Sequence, residues 1–496
     1  MLRWLSFRQL GPPALVAALT AFSTTTASAS VFSAGPPVQV SAPSPFASCP
    51  FGAPGKLFVN AEVEPRVAVN PANPNHLVSV WQQDRWSNGG AHGLLAAAST
   101  NGGTSWSTSF AAFDKCAGNT DYDRASDPWV SIAPNGDAHQ VSLSLSADQA
   151  TSAILVSKMP SGSASWSSPV TLIRDAGTGR LNDKESITAD PHDSNFVYAV
   201  WDRVELPGTQ FLPPEAKSHA FRGTPMFSRS TDGGLTWEPA RSMLLGDPND
   251  FTIGNQIVVL PDGTLVDVAF LGTGSGVQPS NHNFIAVMRS TDRGVSWSKP
   301  IEVTQFEGVG VADPDTGFPV RAGDNLPEAA VDPTTGSIYV TWGDGRFSSF
   351  AHDDIALSRS NDGGLTWSVP VKVNQTPVPT SAFLATPAVT RDGTVGVSYY
   401  DFRNNTQSKT TLPTDVWLVH CHAAAANCTD AGSWTSETHL MGPFDLDTAP
   451  IARGLFVGDY EGLVASGTSF LAVFVATNSG NLANRTDVFA VRVSPS

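Results

Sequence analysis

Apolar and polar residues alternate along this chain in short runs, and the runs follow a fixed order. Arg66-Val67-Ala68-Val69-Asn70-Pro71 leads into a turn, Ala72-Asn73-Pro74-Asn75, and then into a second run, His76-Leu77-Val78-Ser79-Val80-Trp81. A period of two, bounded by Pro and Asn, reads as a pair of β-strands. A variable loop, a third run, a polar turn and a fourth run complete the unit. Seven openings of this kind predict seven units. They are Arg66 to Val69, Trp129 to Ile132, Ser186 to Ala189, Gln256 to Val259, Ala329 to Asp332, Thr386 to Val389 and Leu455 to Val457. The last unit is short by one strand, and Pro37-Val38-Gln39-Val40-Ser41 supplies a candidate for its outer edge.

The polar turn between the third and fourth runs is itself a repeat. It reads Ser230-Thr231-Asp232-Gly233-Gly234-Leu235-Thr236-Trp237, and returns as Ser290 to Trp297 and Ser360 to Trp367. Ser99 to Trp106 carries Asn101 in place of the Asp, and decayed copies end at Trp166 and Trp434. The Trp residues recur at intervals of 60 to 71 residues, the mark of one folding unit repeated. Ser and Asp bond free backbone groups inside such a turn, glycine allows the chain to fold back, and Trp covers it. The motif is therefore read as a turn stabiliser and not as chemistry. Four-stranded units repeated about an axis make an all-β fold, a single β-propeller. Seven blades are expected, with six as the fallback, and the ring is expected to be closed by the N-terminal strand, which removes two exposed sheet edges.

The Ser-x-Asp-x-Gly-x-Thr-Trp phrase is the Asp-box, or BNR repeat, and the chain resembles the sialidase-type Asp-box propellers across residues 30–496. The sialidases of that family have six blades. The resemblance implies a glycoside hydrolase acting on an acidic sugar at a glycan end. The family's opening signature is an aromatic-Arg-Ile-Pro phrase whose Arg grips the substrate carboxylate. Glu64-Pro65-Arg66-Val67 holds that place here, without the aromatic and without the Pro after Ile, so Arg66 is the residue carried over. The family's acid/base is an Asp on a first-blade loop, and Asp84 is the nearest acid there. Its nucleophile is a Tyr activated by a Glu, because a phenol with a pKa of about 10 needs a neighbouring base to react near neutrality. Tyr460, in the densest polar phrase of the last unit, is the candidate nucleophile, with Glu185 or Glu328 as its partner.

Propeller geometry gathers the starts of the first strands and the ends of the second strands on one face. The starts carry Glu64, Arg66, Asp127, Asp183-Lys184-Glu185, Asn255, Asp324, Glu328 and Arg453. The ends repeat an aromatic–Asp–Arg order: Trp81-Gln82-Gln83-Asp84-Arg85, Trp201-Asp202-Arg203, Trp342-Gly343-Asp344-Gly345-Arg346 and Tyr400-Asp401-Phe402-Arg403. Either each Asp–Arg pair braces its own loop, or Arg85, Arg203, Arg346 and Arg403 join Arg66 and Arg453 in a ring of guanidinium groups that would bind a carboxylate. Two rival readings stay open. One is a polysaccharide lyase or other glycosidase with a Tyr or His base such as His282, and the other is a propeller that binds glycan or protein without breaking a bond.

Charge and cysteine usage narrow the setting. The formal charge is −16, which argues against nucleic acid and anionic membrane as partners and requires a local basic pocket for an anionic glycan. Arg3 and Arg8, the apolar stretch from Ala14 to Phe22 and Ala27-Ser28-Ala29 read as a signal peptide over residues 1–29. An exported monomer without a membrane anchor is expected, extracellular or periplasmic. Four cysteines then favour disulfides, most simply Cys49 with Cys116 and Cys421 with Cys428. No spacing suits zinc, and no cofactor is expected. Asp313-Pro314-Asp315 offers oxygen ligands for a structural Ca²⁺ but lacks a full set.

Overall fold

The computed structural model describes residues 31–177, 179–205, 222–243, 250–273, 282–323 and 325–496. The expected signal peptide over residues 1–29 and Asp324 lie outside them. The described chain is all-β. Six units each contribute four antiparallel strands in sequence order. Their first strands are Leu57–Asn70, Arg124–Ile132, Arg180–Ala189, Phe251–Val259, Glu328–Val331 and Ala382–Val389. The seventh unit is Gly462–Ser466, Ser469–Thr477 and Thr486–Pro495. On the outer strand of that unit lie Phe32–Ala34 and Val38–Gln39, both antiparallel, with Val38 opposite Ala490.

One expected opening moves. Leu455–Phe456 does not begin the seventh unit but pairs in parallel with Pro319–Arg321, and the unit begins at Gly462. Gly462 is packed so tightly on the first unit that a Cβ there would lie 2.8 Å from Val67 Cγ1.

Sheets stack face to face, and the core lies between them. Val141, Leu143 and Val156 of the second unit meet Ile187, Val197 and Trp201 of the third. Equivalent layers join the third to the fourth, the fourth to the fifth and the fifth to the sixth. The largest layer joins the sixth, seventh and first units through Tyr400, Phe470 and Trp81, all at most 1% exposed. Each fully buried Val, Leu or Phe of such a layer contributes about 1.5–3 kcal/mol. The first strand of each unit packs on that of the next, and that of the seventh on that of the first. All seven line one channel of about 400 Å³.

The polar turns hold as expected. Asp232 Oδ1 accepts from Thr236 N at 2.9 Å, and Gly234 N donates to Ser230 Oγ at 2.8 Å. Asp292 and Asp362 repeat the pattern with Ser296 and Thr366. These bonds hold all three carboxyls down at about 2. The indole N–H groups of Trp106 and Trp367 reach glycine carbonyls, but those of Trp237 and Trp297 are buried without a partner among the described residues. An arginine also ties each of several turns to the preceding unit. Arg229 donates to Arg293 O, Arg289 to Gly363 O and Arg492 to Gly102 O, at 2.6, 2.6 and 2.9 Å.

Candidate functional site

The first strands share a local distortion that builds the site. Glu64, Asp127, Lys184, Gly254 and Leu384 all have positive φ, between 49° and 73°. Each falls in a register shift of its strand, for example between Val63 and Arg66 and between Asp183 and Ser186. A bulge of this kind re-aims a side chain out of the sheet. Left-handed backbone in four non-glycine residues is a strain that only a surrounding structure sustains.

The bulged residues of the first three units and Asp459 meet at one end of the channel. Lys184 Nζ lies 2.6 Å from Asp127 Oδ1, 2.7 Å from Asp459 Oδ2 and 3.4 Å from Glu64 Oε1. Its three N–H donors therefore face three carboxylates. Arg321 grips Asp459 with two nitrogens, its Nε at 2.8 Å from Oδ1. Glu64 is also bonded by Gln82, which in turn accepts from Arg85 Nη1 at 2.5 Å. Glu64, Asp127 and Asp459 are close enough together to hold a metal ion, but the Lys184 ammonium bonds all three.

Electrostatics divide these acids. Burial, only partly offset by Lys184, pushes Glu64 up to about 7. Burial and then Asp127 push Asp183 up to about 6, against Lys184, Arg453 and Arg321. Burial would raise Asp459 too, but Arg321 and Lys184 hold it well below the usual carboxylate range. Burial would lower Lys184, but Asp127, Asp459 and Glu64 keep it well above its ordinary value.

Beside this cluster lies an open cleft of about 440 Å³, lined by Arg321, Arg453, Val309, Gly310 and the strand Pro319–Arg321. Two glycines permit it. A Cβ on Gly323 would overlap the carbonyl of Asp459, and one on Gly454 would lie 2.7 Å from Pro319 O. Arg453 is exposed, has a φ of 68°, and makes no hydrogen bond or ion pair among the described residues. The half-buried Asp183 feels both guanidinium groups.

The other sequence-predicted residues are engaged elsewhere. Arg66 pairs with Glu328 at 2.8 Å, donates to Glu461 O at 3.0 Å and stacks 3.6 Å over the Trp129 ring. Arg203 pairs with Asp175 on the outer strand of the second unit. Arg346 pairs with Asp344 and Arg403 with Asp401 and Glu437, so both brace loops. A single guanidinium ring does not form, because these groups share no partner. Asp84 is wholly buried and holds Ser44 Oγ at 2.7 Å and Asn60 N at 2.8 Å, not Arg85. Tyr460 is 5% exposed and donates to Pro128 O at 3.0 Å, and burial raises its phenol well above 10. Glu185 is 2% exposed. His282 is exposed. Asp313 is spent on its own turn, bonding Asp315 N at 2.9 Å and Thr316, while Asn405 holds Asp315. Both expected disulfides form. Among the described residues no helix is long and apolar enough to cross a membrane.

No family model matches the chain. A 205-residue stretch is 31% identical to the xyloglucanase Xgh74A of Acetivibrio thermocellus, covering 37% of this chain. The match spans 19% of that relative's length. Among solved structures, a Dyadobacter fermentans protein of unknown function is 13% identical with a TM-score of 0.47, covering 94% of this chain and 99% of that one. The Penicillium chrysogenum α-L-arabinanase is 12% identical with a TM-score of 0.45, covering 92% and 98%. These structural likenesses are too low to argue an activity.

Sequence reasoning missed Arg321. It sits in a connecting segment between the fourth and fifth units, outside the repeat. Its only signal is Gly323, two residues on, which marks a close backbone approach. Lys184 and Asp127 were visible as charges before first strands, and Asp459 only as part of the polar phrase around Tyr460, but nothing in their spacing announced that they share one contact point.

Proposed function

We propose that the chain is an exported glycoside hydrolase that acts on an acidic sugar from the cleft between Arg321 and Arg453. One observation carries the reading. Two guanidinium groups line an open cleft, both act electrostatically on Asp183, whose carboxyl burial and Asp127 push up to about 6, and Asp459, gripped by Arg321, stays ionised. Two acids driven apart by their surroundings supply the proton donor and the charge that a glycosidic transition state needs. Arg453 binds the sugar carboxylate, and Arg321, already shared with Asp459, orients it. Asp183 protonates the leaving oxygen. Asp459 and Glu64, bridged by Lys184, set the field below.

The scaffold reading is a seven-bladed propeller. Seven first strands around one channel, each packed on the next, support it, as does the N-terminal strand on the seventh sheet. Export to the extracellular space or periplasm is supported by the two disulfides. The stretch shared with a xyloglucanase supports a carbohydrate ligand. The protein is taken to act as a monomer on an anionic glycan.

The test is hydrolysis of a fluorogenic sialoside and of uronic-acid glycosides by wild type, Asp183→Asn and Arg453→Ala. The expected result is turnover that falls as pH rises above about 6, loss in Asp183→Asn, and a raised KM in Arg453→Ala. Appearance of unsaturated uronate would assign a lyase instead. Binding of these glycans with no product at any pH would sink catalysis and leave a lectin-like propeller.

A further inference from the structure

Next to the Lys184 cluster is a second, smaller space of about 20 Å³, room for one water or one ion. It is lined by Glu185, Asn255, Glu328, Trp129, Tyr460 and Lys184, among others. Glu185 is 2% exposed, and neither of its carboxylate oxygens has a hydrogen-bond partner. Asn255 is also 2% exposed. Its amide nitrogen donates to Asp202 Oδ1 at 2.7 Å and to Thr252 Oγ1 at 3.0 Å, which fixes the orientation, and its Oδ1 is left without a partner. Glu328 adds a second carboxylate, facing Arg66 Nη2 at 2.8 Å.

The ammonium and the hydroxyl beside this space are already used. Lys184 faces Asp127, Asp459 and Glu64, and the Tyr460 hydroxyl donates to Pro128 O. What remains unsatisfied is a set of three acceptors, both oxygens of Glu185 and the amide oxygen of Asn255, with the Glu328 carboxylate, paired to Arg66, beside them. An unsatisfied buried polar atom costs about 1–3 kcal/mol, and more when charged. A water can donate to only two of these acceptors. A cation satisfies all of them at once.

We propose that Glu185, Asn255 and Glu328 form a binding site for a single hard cation of the size of Ca²⁺. The donor set is all oxygen, with two carboxylates, which selects hard cations over thiophilic ones. Glu185 can bind through both oxygens, as Ca²⁺ accepts and as the octahedral preference of Mg²⁺ disfavours. Mg²⁺ also keeps several waters, for which a space of this size has no room. The ion ties the third unit, through Glu185, to the fourth through Asn255 and the fifth through Glu328. It is distinct from the Asp313–Asp315 turn and from the cleft of the hydrolase reading, and its fate is independent of that reading.

Trp129 provides a local probe. Tb³⁺ occupies Ca²⁺ sites and emits when a nearby excited indole transfers energy to it. Protein stripped with a chelator is titrated with Tb³⁺ under indole excitation, and Ca²⁺ binding is measured by calorimetry. The expected result is saturable emission and one Ca²⁺ per chain, with Ca²⁺ displacing Tb³⁺ and raising the unfolding midpoint. Glu185→Gln, which keeps the shape and removes the charge, should weaken Ca²⁺ at least tenfold. Trp129→Phe should lower the emission and leave the Ca²⁺ stoichiometry at one. Two results overturn the proposal. One is the absence of Ca²⁺ binding by calorimetry in folded wild-type protein. The other is binding that survives Glu185→Gln unchanged. If Glu185→Gln fails to fold by circular dichroism, Asn255→Asp serves instead, since it keeps the size and adds a charge. Tighter Ca²⁺ binding in that variant supports the site, and unchanged binding rejects it.

Discussion

Replacing Lys184 with Met tests whether one ammonium group holds the channel mouth together. Lys184 contacts three carboxylates at 2.6, 2.7 and 3.4 Å. At an effective dielectric constant of about 20, each contact is worth about 5–6 kcal/mol of attraction, from which several kcal/mol of ammonium desolvation must be subtracted. Removing one partner of a buried ion pair costs about 3–5 kcal/mol, because the charges left behind stay unpaired. Lys184→Met should lose that much at pH 8. The loss should shrink with acid. Glu64 is raised already in the wild type; without the ammonium a further carboxyl of the cluster has a higher pKa folded than unfolded, so the folded mutant binds one proton more than the folded wild type. Its stability therefore rises as pH falls from that raised value toward about 4, by about 1.4 kcal/mol per unit for one proton. Urea unfolding followed by tryptophan fluorescence at pH 8 and pH 5 measures both quantities. A loss under about 1 kcal/mol at pH 8, or one that does not change with pH, would refute the argument.

Other outcomes follow from the same geometry. Asp362→Ala should lose about 1 kcal/mol, by analogy with a lost cap, and thermal unfolding would show it. Because the Asp362 carboxyl is held at about 2, its contribution is present above about pH 4 and fades as pH falls toward 2, so the mutant and wild type should converge in acid. Removing Cys49–Cys116, which closes a separation of 67 residues, should cost about 4 kcal/mol by loop entropy, against about 2.5 for Cys421–Cys428 with a separation of 7. Serine pairs at each site, compared by urea midpoint, give the order. Tyr460→Phe should destabilise by about 1 kcal/mol through the lost bond to Pro128 O and leave turnover near wild type, since the hydroxyl is committed to the backbone. A kcat that collapses in Tyr460→Phe without loss of folding would restore the nucleophile role.

Much of the scaffold was legible because repeats announce themselves. The alternation at Arg66 to Val69 and its counterparts located six of the seven first strands, and the Ser230 to Trp237 phrase located the turns. Leu455–Phe456 misled because a short apolar run reads the same in a parallel side ribbon as in a first strand. The site was legible only in part. Charges before each first strand pointed to the right end of the channel, but the positive-φ bulges that turn Glu64, Asp127 and Lys184 together leave no signal in residues that are not glycine. The aromatic–Asp–Arg repeat was visible and proved to be bracing at Arg346 and Arg403, as a feature shared between units tends to be. Arg321 lies outside the repeat, in a segment that the pattern does not describe, and Arg453 was found only as the charge before the Leu455 run that proved to be a side ribbon.

The outermost strand of the seventh sheet comes from the opposite terminus, with Val38 and Gln39 beside Ala490 and Phe489. During synthesis the first partner waits for nearly the entire polypeptide before the second emerges. Until residues 486–495 exist, the seventh sheet holds two strands, and neither Phe32–Ala34 nor Val38–Gln39 has its partner. The seventh sheet is thus finished by a contact between the most distant stretches of the described sequence, after the other sheets have had time to form.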